Sequence, residues 1–188
     1  MVEVLEPLTP AGERLATAAA ELFYRRGIRA VGVELIAEVA GTTKKTLYDR
    51  FGSKDALVAL YLRRRAVRWQ DFLRGHLEAV PAGRERLLVV FDALDAWLRE
   101  QDRGCAFVNA YAEIGGTDHP GVPVIRAEKE WMRECLTSLA AEAGSAEPER
   151  VGGELHVLYE GATVLATAGG RSDAPAEARR AASRLLGS

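Results

Sequence analysis

Between Gly32 and Asp55 the chain concentrates side chains able to hold a phosphate or reach the edge of a base. Lys44, Lys45 and Arg50 are cationic, Thr42, Thr43 and Thr46 carry hydroxyls, and Tyr48 adds a phenol. Leu47 and Phe51 stand four apart and supply a single apolar edge. A helix built this way packs by its apolar edge and presents donors elsewhere, as a segment lying in a major groove must.

The neighbouring residues supply the scaffold for that segment. Val33, Ile36, Ala37 and Ala40 recur at the spacing of a buried helical stripe. Gly41 provides the permissive backbone that ends this helix and reverses the chain, and Thr43 can cap the next. Residues 32–51 therefore read as a helix-turn-helix. Thr9-Pro10 opens an earlier helix with Leu15, Ala19, Leu22 and Phe23 on its inner face, closed by Arg25-Arg26-Gly27. Ser53 caps a fourth helix, with Asp55 in its first turn. That helix is expected to run to about Leu77, roughly 37 Å at 1.5 Å per residue. Its later apolar residues, Trp69, Phe72, Leu73 and Leu77, belong to a second core, so one rod spans both and is a candidate lever.

Farther on, Leu87, Phe91, Leu94 and Leu98 mark a fifth helix after the Pro81-Ala82-Gly83 break. Helical spacing recurs over 105–114, 122–143, 147–168 and 174–186, and no stretch alternates convincingly enough for a strand. The expectation is an all-α chain of about nine helices without a solenoid repeat. Residues 9–55 form the helix-turn-helix domain, and residues 56–188 form a second helical domain.

The 188 residues are 48% hydrophobic and 28% charged, an ordinary globular composition. No apolar run reaches the roughly 18 residues of a membrane span. The opening Met-Val-Glu-Val-Leu-Glu lacks the basic start and apolar core of a secretory leader. Cys105 and Cys135 are too few for a disulfide scaffold and suit a reducing cytoplasm. The net charge of −2 conceals a division, because residues 9–65 hold eleven Lys or Arg against six acids. A basic segment on a mildly acidic body is the footprint of a local nucleic-acid contact.

The run Ile36-Ala37-Glu38-Val39-Ala40-Gly41, followed by Thr43-Lys44-Lys45-Thr46-Leu47-Tyr48 with Phe51, Ser53, Lys54, Asp55 and Leu57, resembles the DNA-binding domain of the TetR family. The resemblance extends from about Thr9 to Leu62. It implies that Thr42, Thr43, Lys44, Lys45, Thr46 and Tyr48 touch DNA and that Lys54 meets a phosphate. By charge and reach, Tyr48 and Lys54 suit positioning, while Lys44, Lys45 and Thr46 suit base edges. Two positions depart from the family pattern. Gly32 stands where a capping Ser or Thr is common, and Lys45 where a small residue is frequent, so operator preference does not carry over.

The resemblance further implies a homodimer bound to a double-stranded DNA operator, joined through the helices at 147–168 and 174–186, with an effector pocket for an unknown small molecule. Gly152, Gly153, Gly161, Ala162 and Ala166 would permit close helix approach in the first of these helices, across a two-fold axis or within the chain. Phe72, Phe91, Phe107, Tyr111, Trp131 and Tyr159 are candidate pocket residues, together with Asn109 and His156. Asn109 and His156 each stand four before a glutamate, Glu113 and Glu160; exposed helix-surface pairs account for this spacing equally well. No Gly-x-x-x-x-Gly-Lys, Gly-x-Ser-x-Gly or His-Glu-x-x-His occurs, and His76, His119 and His156 are scattered. Neither catalysis, a metal nor a cofactor is expected. The alternative is a protein- or small-molecule-binding module that keeps the fold without regulated DNA binding.

Overall fold

The computed structural model of the chain describes residues 7–101 and 103–187. The residues preceding 7, read above for the absence of a leader, lie outside that range. Among the described residues there are nine helices and no strand: α1 Pro10–Arg26, α2 Val33–Val39, α3 Lys44–Phe51, α4 Lys54–Glu78, α5 Arg84–Arg99, α6 Ala106–Ile114, α7 Gly121–Glu142, α8 Pro148–Thr167 and α9 Ala174–Leu185. None of them is long and apolar enough to cross a membrane.

These helices fall into two compact units, and α4 and α7 contribute residues to both. The first unit holds the described residues up to Arg68 together with Ala106–Ala127. Its N-terminal helix starts where the sequence supplies a cap, with Thr9 Oγ1 accepting from Gly12 N at 3.3 Å and Pro10 in the first helical position. Leu15, Ala19, Ile36, Leu47, Leu57, Val58 and Leu62 are buried together with Phe23 and Val31. Burying such side chains, at about 1.5–3 kcal/mol each, is the main force holding these short helices. The residues 106–127 add Ile114, Val122 and Ile125 to the buried set. They also bring Glu113, whose carboxylate accepts from Ile28 N at 2.9 Å and Arg29 N at 2.7 Å. These are the backbone amides of the α1–α2 turn.

The second unit holds residues 69–105 and 128–188, described except at 102 and 188. Its core joins Trp69 and Leu73 of α4, Leu87, Phe91 and Leu94 of α5, Met132 and Leu136 of α7, Leu155 and Tyr159 of α8, and Ala178 and Ala182 of α9. Helices α7 and α8 approach so closely that a Cβ on Gly152 would stand 2.6 Å from Thr137 Cα. Glycine at this position therefore serves packing inside the chain.

Candidate nucleic-acid interface

The turn between α2 and α3 is closed by backbone bonds that its sequence permits. Gly41, at φ 61°, lets its own N–H reach Glu38 O at 3.0 Å while Thr42 N reaches Ala37 O at 2.9 Å. This is the paired closure of a helix that ends in a left-handed residue. Arg14 of α1 adds a donor to the same end, with Nε 3.1 Å from Ala40 O. Thr43 then caps α3, its Oγ1 accepting from Thr46 N at 3.1 Å and lying 3.0 Å from Thr46 Oγ1.

Leu47, fully buried, fixes the rotation of α3. Lys44, Lys45 and Arg50 are exposed on that helix, Tyr48 is 48% exposed, and Thr46 and Phe51 are half-buried. Thr42 is half-buried in the turn and Thr43 is exposed. Both lysines are balanced locally. Lys44 Nζ donates to Glu34 Oε1 at 2.8 Å and Lys45 Nζ to Asp49 Oδ2 at 2.6 Å. The Lys44 hydrogen bond holds the Glu34 carboxyl below its ordinary range, and the same bond holds Lys44 above its own. Lys54 behaves differently: its half-buried side chain donates Nζ to Ile28 O at 2.6 Å, tying the start of α4 to the α1–α2 turn.

The candidate pocket residues divide between the units. Phe107, Asn109 and Tyr111 lie on α6 in the first unit, where Phe107 is buried and Tyr111 is 46% exposed. Phe72, Phe91, Trp131, His156 and Tyr159 lie in the second. There Trp69, which the sequence reading assigned only to a core, lies 5.4 Å ring to ring from Trp97 and 6.0 Å from Tyr159, and Phe72 lies 5.1 Å from Trp97. Phe91 is 1% exposed and Trp131 half-buried at the same core. A polar group adjoins the rings: Lys129 Nζ lies 2.8 and 3.0 Å from the two Glu160 oxygens and 3.8 Å from Cys105 Sγ. His156 Nε2 is 3.4 Å from Glu160 Oε1, and Gln70 Nε2 donates to Glu128 Oε2 at 3.2 Å. No cluster of three His, Cys, Asp or Glu residues fit to hold a metal occurs among the described residues.

Residues 15–61 match the profile described as bacterial regulatory proteins, tetR family. Over 94% of this chain and 92% of the other, the fold coincides with a TetR-family transcriptional regulator from Streptomyces coelicolor, at TM-score 0.79 and 27% identity. A TetR-type regulator from Streptomyces avermitilis gives 0.77 and 28%, covering 93% and 98% of the two chains. The DNA-binding domain is that of the TetR family. Among curated relatives, the transcriptional activator FasR of Mycolicibacterium smegmatis is 30% identical over 124 residues, 66% of this chain. The chain spans about half the length of FasR, 54% of it.

Within the TetR pattern, the departure at Gly32 has a local substitute. Gly32 gives α2 no side-chain cap, and Glu34 in its first turn places a negative charge at the helix N-terminus instead. The sequence reading passed over Glu128, Lys129 and Gln70. A signal was present for the first of these: Ile125, Glu128, Met132 and Leu136 follow one helical stripe, and an acid within an apolar stripe is a buried acid.

Proposed function

We propose that this chain is a homodimeric transcriptional repressor, acting in the cytoplasm, that a small molecule releases from a double-stranded DNA operator. The observation carrying the DNA reading is the exposed face of α3, with Lys44, Lys45 and Tyr48 presented over a buried Leu47. Thr43, Thr46 and Tyr48 would hold phosphates or bases through hydroxyls, while Lys44 and Lys45 would exchange their acid partners for DNA. Two such helices would enter successive major grooves of a pseudo-palindrome, about 34–36 Å apart. Residues 9–55 carry this reading head. The remainder carries effector binding and dimerisation.

Pairing of two copies through α8 and α9 is supported by the apolar side chains left outside. Val157 is 73% exposed, and Val164 and Leu165 more than 40%. Val157 and Leu165 line a groove of about 410 Å³ bounded by Gly161, Ala178 and Ala181. The effector would act by its different affinity for DNA-competent and DNA-incompetent forms. The Trp69–Tyr159 rings with the Lys129–Glu160 pair are the polar and aromatic groups such a ligand needs.

Selection of genomic DNA fragments by the purified protein tests the proposal, followed by titration of the selected operator with wild type, Tyr48→Ala and Lys44→Ala/Lys45→Ala. Both variants are expected to lose at least tenfold in affinity, and undiminished binding by both would overturn the DNA reading. Because FasR is named an activator, the sign of regulation is read separately. Derepression of a reporter on deleting the gene supports repression, and loss of expression supports activation.

A further inference from the structure

Helices α1 and α4 of the first unit wall a groove of about 370 Å³. Ala16, Ala20 and Tyr24 line it from one face of α1, and Tyr61, Arg65 and Arg68 from one face of α4. Its size falls within the range of small-molecule sites, about 300–1,000 Å³.

The lining is apolar on its floor and cationic along α4. Two alanines and two tyrosine rings supply the apolar surface. Arg65 is 9% exposed, and its guanidinium carbon lies 5.1 Å from the centre of the Tyr24 ring. Stacking on a ring restricts the orientation of the planar guanidinium, and burial strengthens its pull on an anion. Arg68 stands about one turn farther along the same face and is exposed. Each guanidinium carries five N–H donors, so a bound oxyanion can share Arg65 and Arg68 with the contacts they already make.

The remaining charges narrow the ligand. Arg64 also borders the groove, but Glu13 holds two of its nitrogens at 2.7 and 2.8 Å, so it ties α1 to α4. Glu21, the acid among the lining residues, is exposed and lies 3.7 Å from Arg25. Its charge on the α1 wall disfavours a ligand carrying a second negative charge. A flat carboxylate matches the guanidinium fork and brings only one.

We infer that this groove binds a small aromatic carboxylate, with its oxygens on Arg65 and Arg68 and its ring against Ala16, Ala20 and Tyr61. The site lies in the first unit and does not rest on the effector reading above. Its consequence is mechanical. Arg14 of α1 holds Ala40 O at the end of α2, and Lys54 of α4 holds Ile28 O. A ligand spanning α1 and α4 adds to the Glu13–Arg64 tie and stiffens the frame around α3.

The test uses the full chain with four probes of similar shape: 2-naphthoate, 2-naphthyl phosphate, neutral 2-methylnaphthalene and cationic N-methylquinolinium. Equilibrium dialysis at neutral pH gives affinities for wild type, Arg68→Gln and Ala20→Leu, with folding checked by thermal unfolding. Arg68→Gln removes an exposed charge, and Ala20→Leu fills the groove. The expected result is binding of 2-naphthoate about tenfold or more tighter than that of the other three probes. Each variant should weaken it by about tenfold, the loss of one charge-assisted contact or of the ring's place. Affinity for 2-naphthoate no greater than for 2-methylnaphthalene or N-methylquinolinium overturns the anion class. Tighter binding of 2-naphthyl phosphate overturns the carboxylate assignment. Binding of 2-naphthoate that is unchanged in either folded variant places it elsewhere and overturns the site.

Discussion

Lys44 of α3 and Glu34 of α2 are joined at 2.8 Å across the turn, although ten residues separate them. An exposed pair of this kind contributes little to stability, yet under the proposed function it sets the charge that DNA would meet. Glu34→Gln is expected to leave thermal stability nearly unchanged and to tighten DNA binding a few-fold at low salt. If Lys44 then reaches a phosphate, the slope of log affinity against log salt steepens by about 0.9. Filter-binding titrations at four salt concentrations measure this, and an unchanged slope would place Lys44 off the backbone.

Lys54 tests two roles that differ in readout. Its ammonium lies 2.6 Å from Ile28 O, a charge-assisted bond of about 1.5–3 kcal/mol in general. Lys54→Met should lower the melting temperature by several degrees, at about 2–4 °C per kcal/mol for a chain of this size. A loss of DNA affinity with no loss of melting temperature would instead favour the phosphate role implied by the family resemblance.

Glu128 predicts the pH dependence of folding. Its carboxyl titrates near about 7 in the folded chain and near its ordinary 4.5 when unfolded. The folded state therefore binds more protons between these values, and stability falls as pH rises through that window. The difference corresponds to about 3 kcal/mol above pH 7. Urea unfolding of Glu128→Gln should match wild type near pH 4.5 and exceed it by roughly this amount at pH 8. Equal stability at pH 8 would refute the prediction.

Two glycines of α8 should answer differently. A Cβ on Gly152 meets Thr137 Oγ1 and main-chain atoms at 2.3–2.8 Å, so Gly152→Ala is expected to cost about 1–3 kcal/mol. Nothing lies within 4 Å of a Cβ on Gly161, and alanine there should stabilise a lone protomer by up to about 1 kcal/mol. Gly161→Trp would fill the α8–α9 groove. Sedimentation should then show it shifted toward monomer, whereas an unchanged dimer would move the interface elsewhere.

The sequence was most readable where a cap or a permissive residue sits beside an apolar stripe. Thr9-Pro10, Gly41, Thr43 and Ser53 each bound a helix within a residue of expectation, because capping chemistry is local. Glu34 and Lys44 were not legible as a pair, since their meeting depends on the path of the turn. The same limit applied to α6. Periodicity places Phe107, Asn109 and Tyr111 on one helix without saying which unit that helix joins. Glu113, read as half of a pocket pair with Asn109, is instead spent on the amides of Ile28 and Arg29. Gly152 was read as a place for close approach, and the structure gives it a partner, Thr137, within the chain.

That use of Glu113 bears on how the protein can be cut and recombined. A fragment ending near Arg68, or a chimaera grafting this head onto another regulator's body, would strip two amide protons of their acceptor and bare Leu62 where Gly121 now abuts it. Transplanting DNA specificity thus requires moving two separate stretches of sequence, because the strut that braces the head is encoded some fifty residues downstream of it.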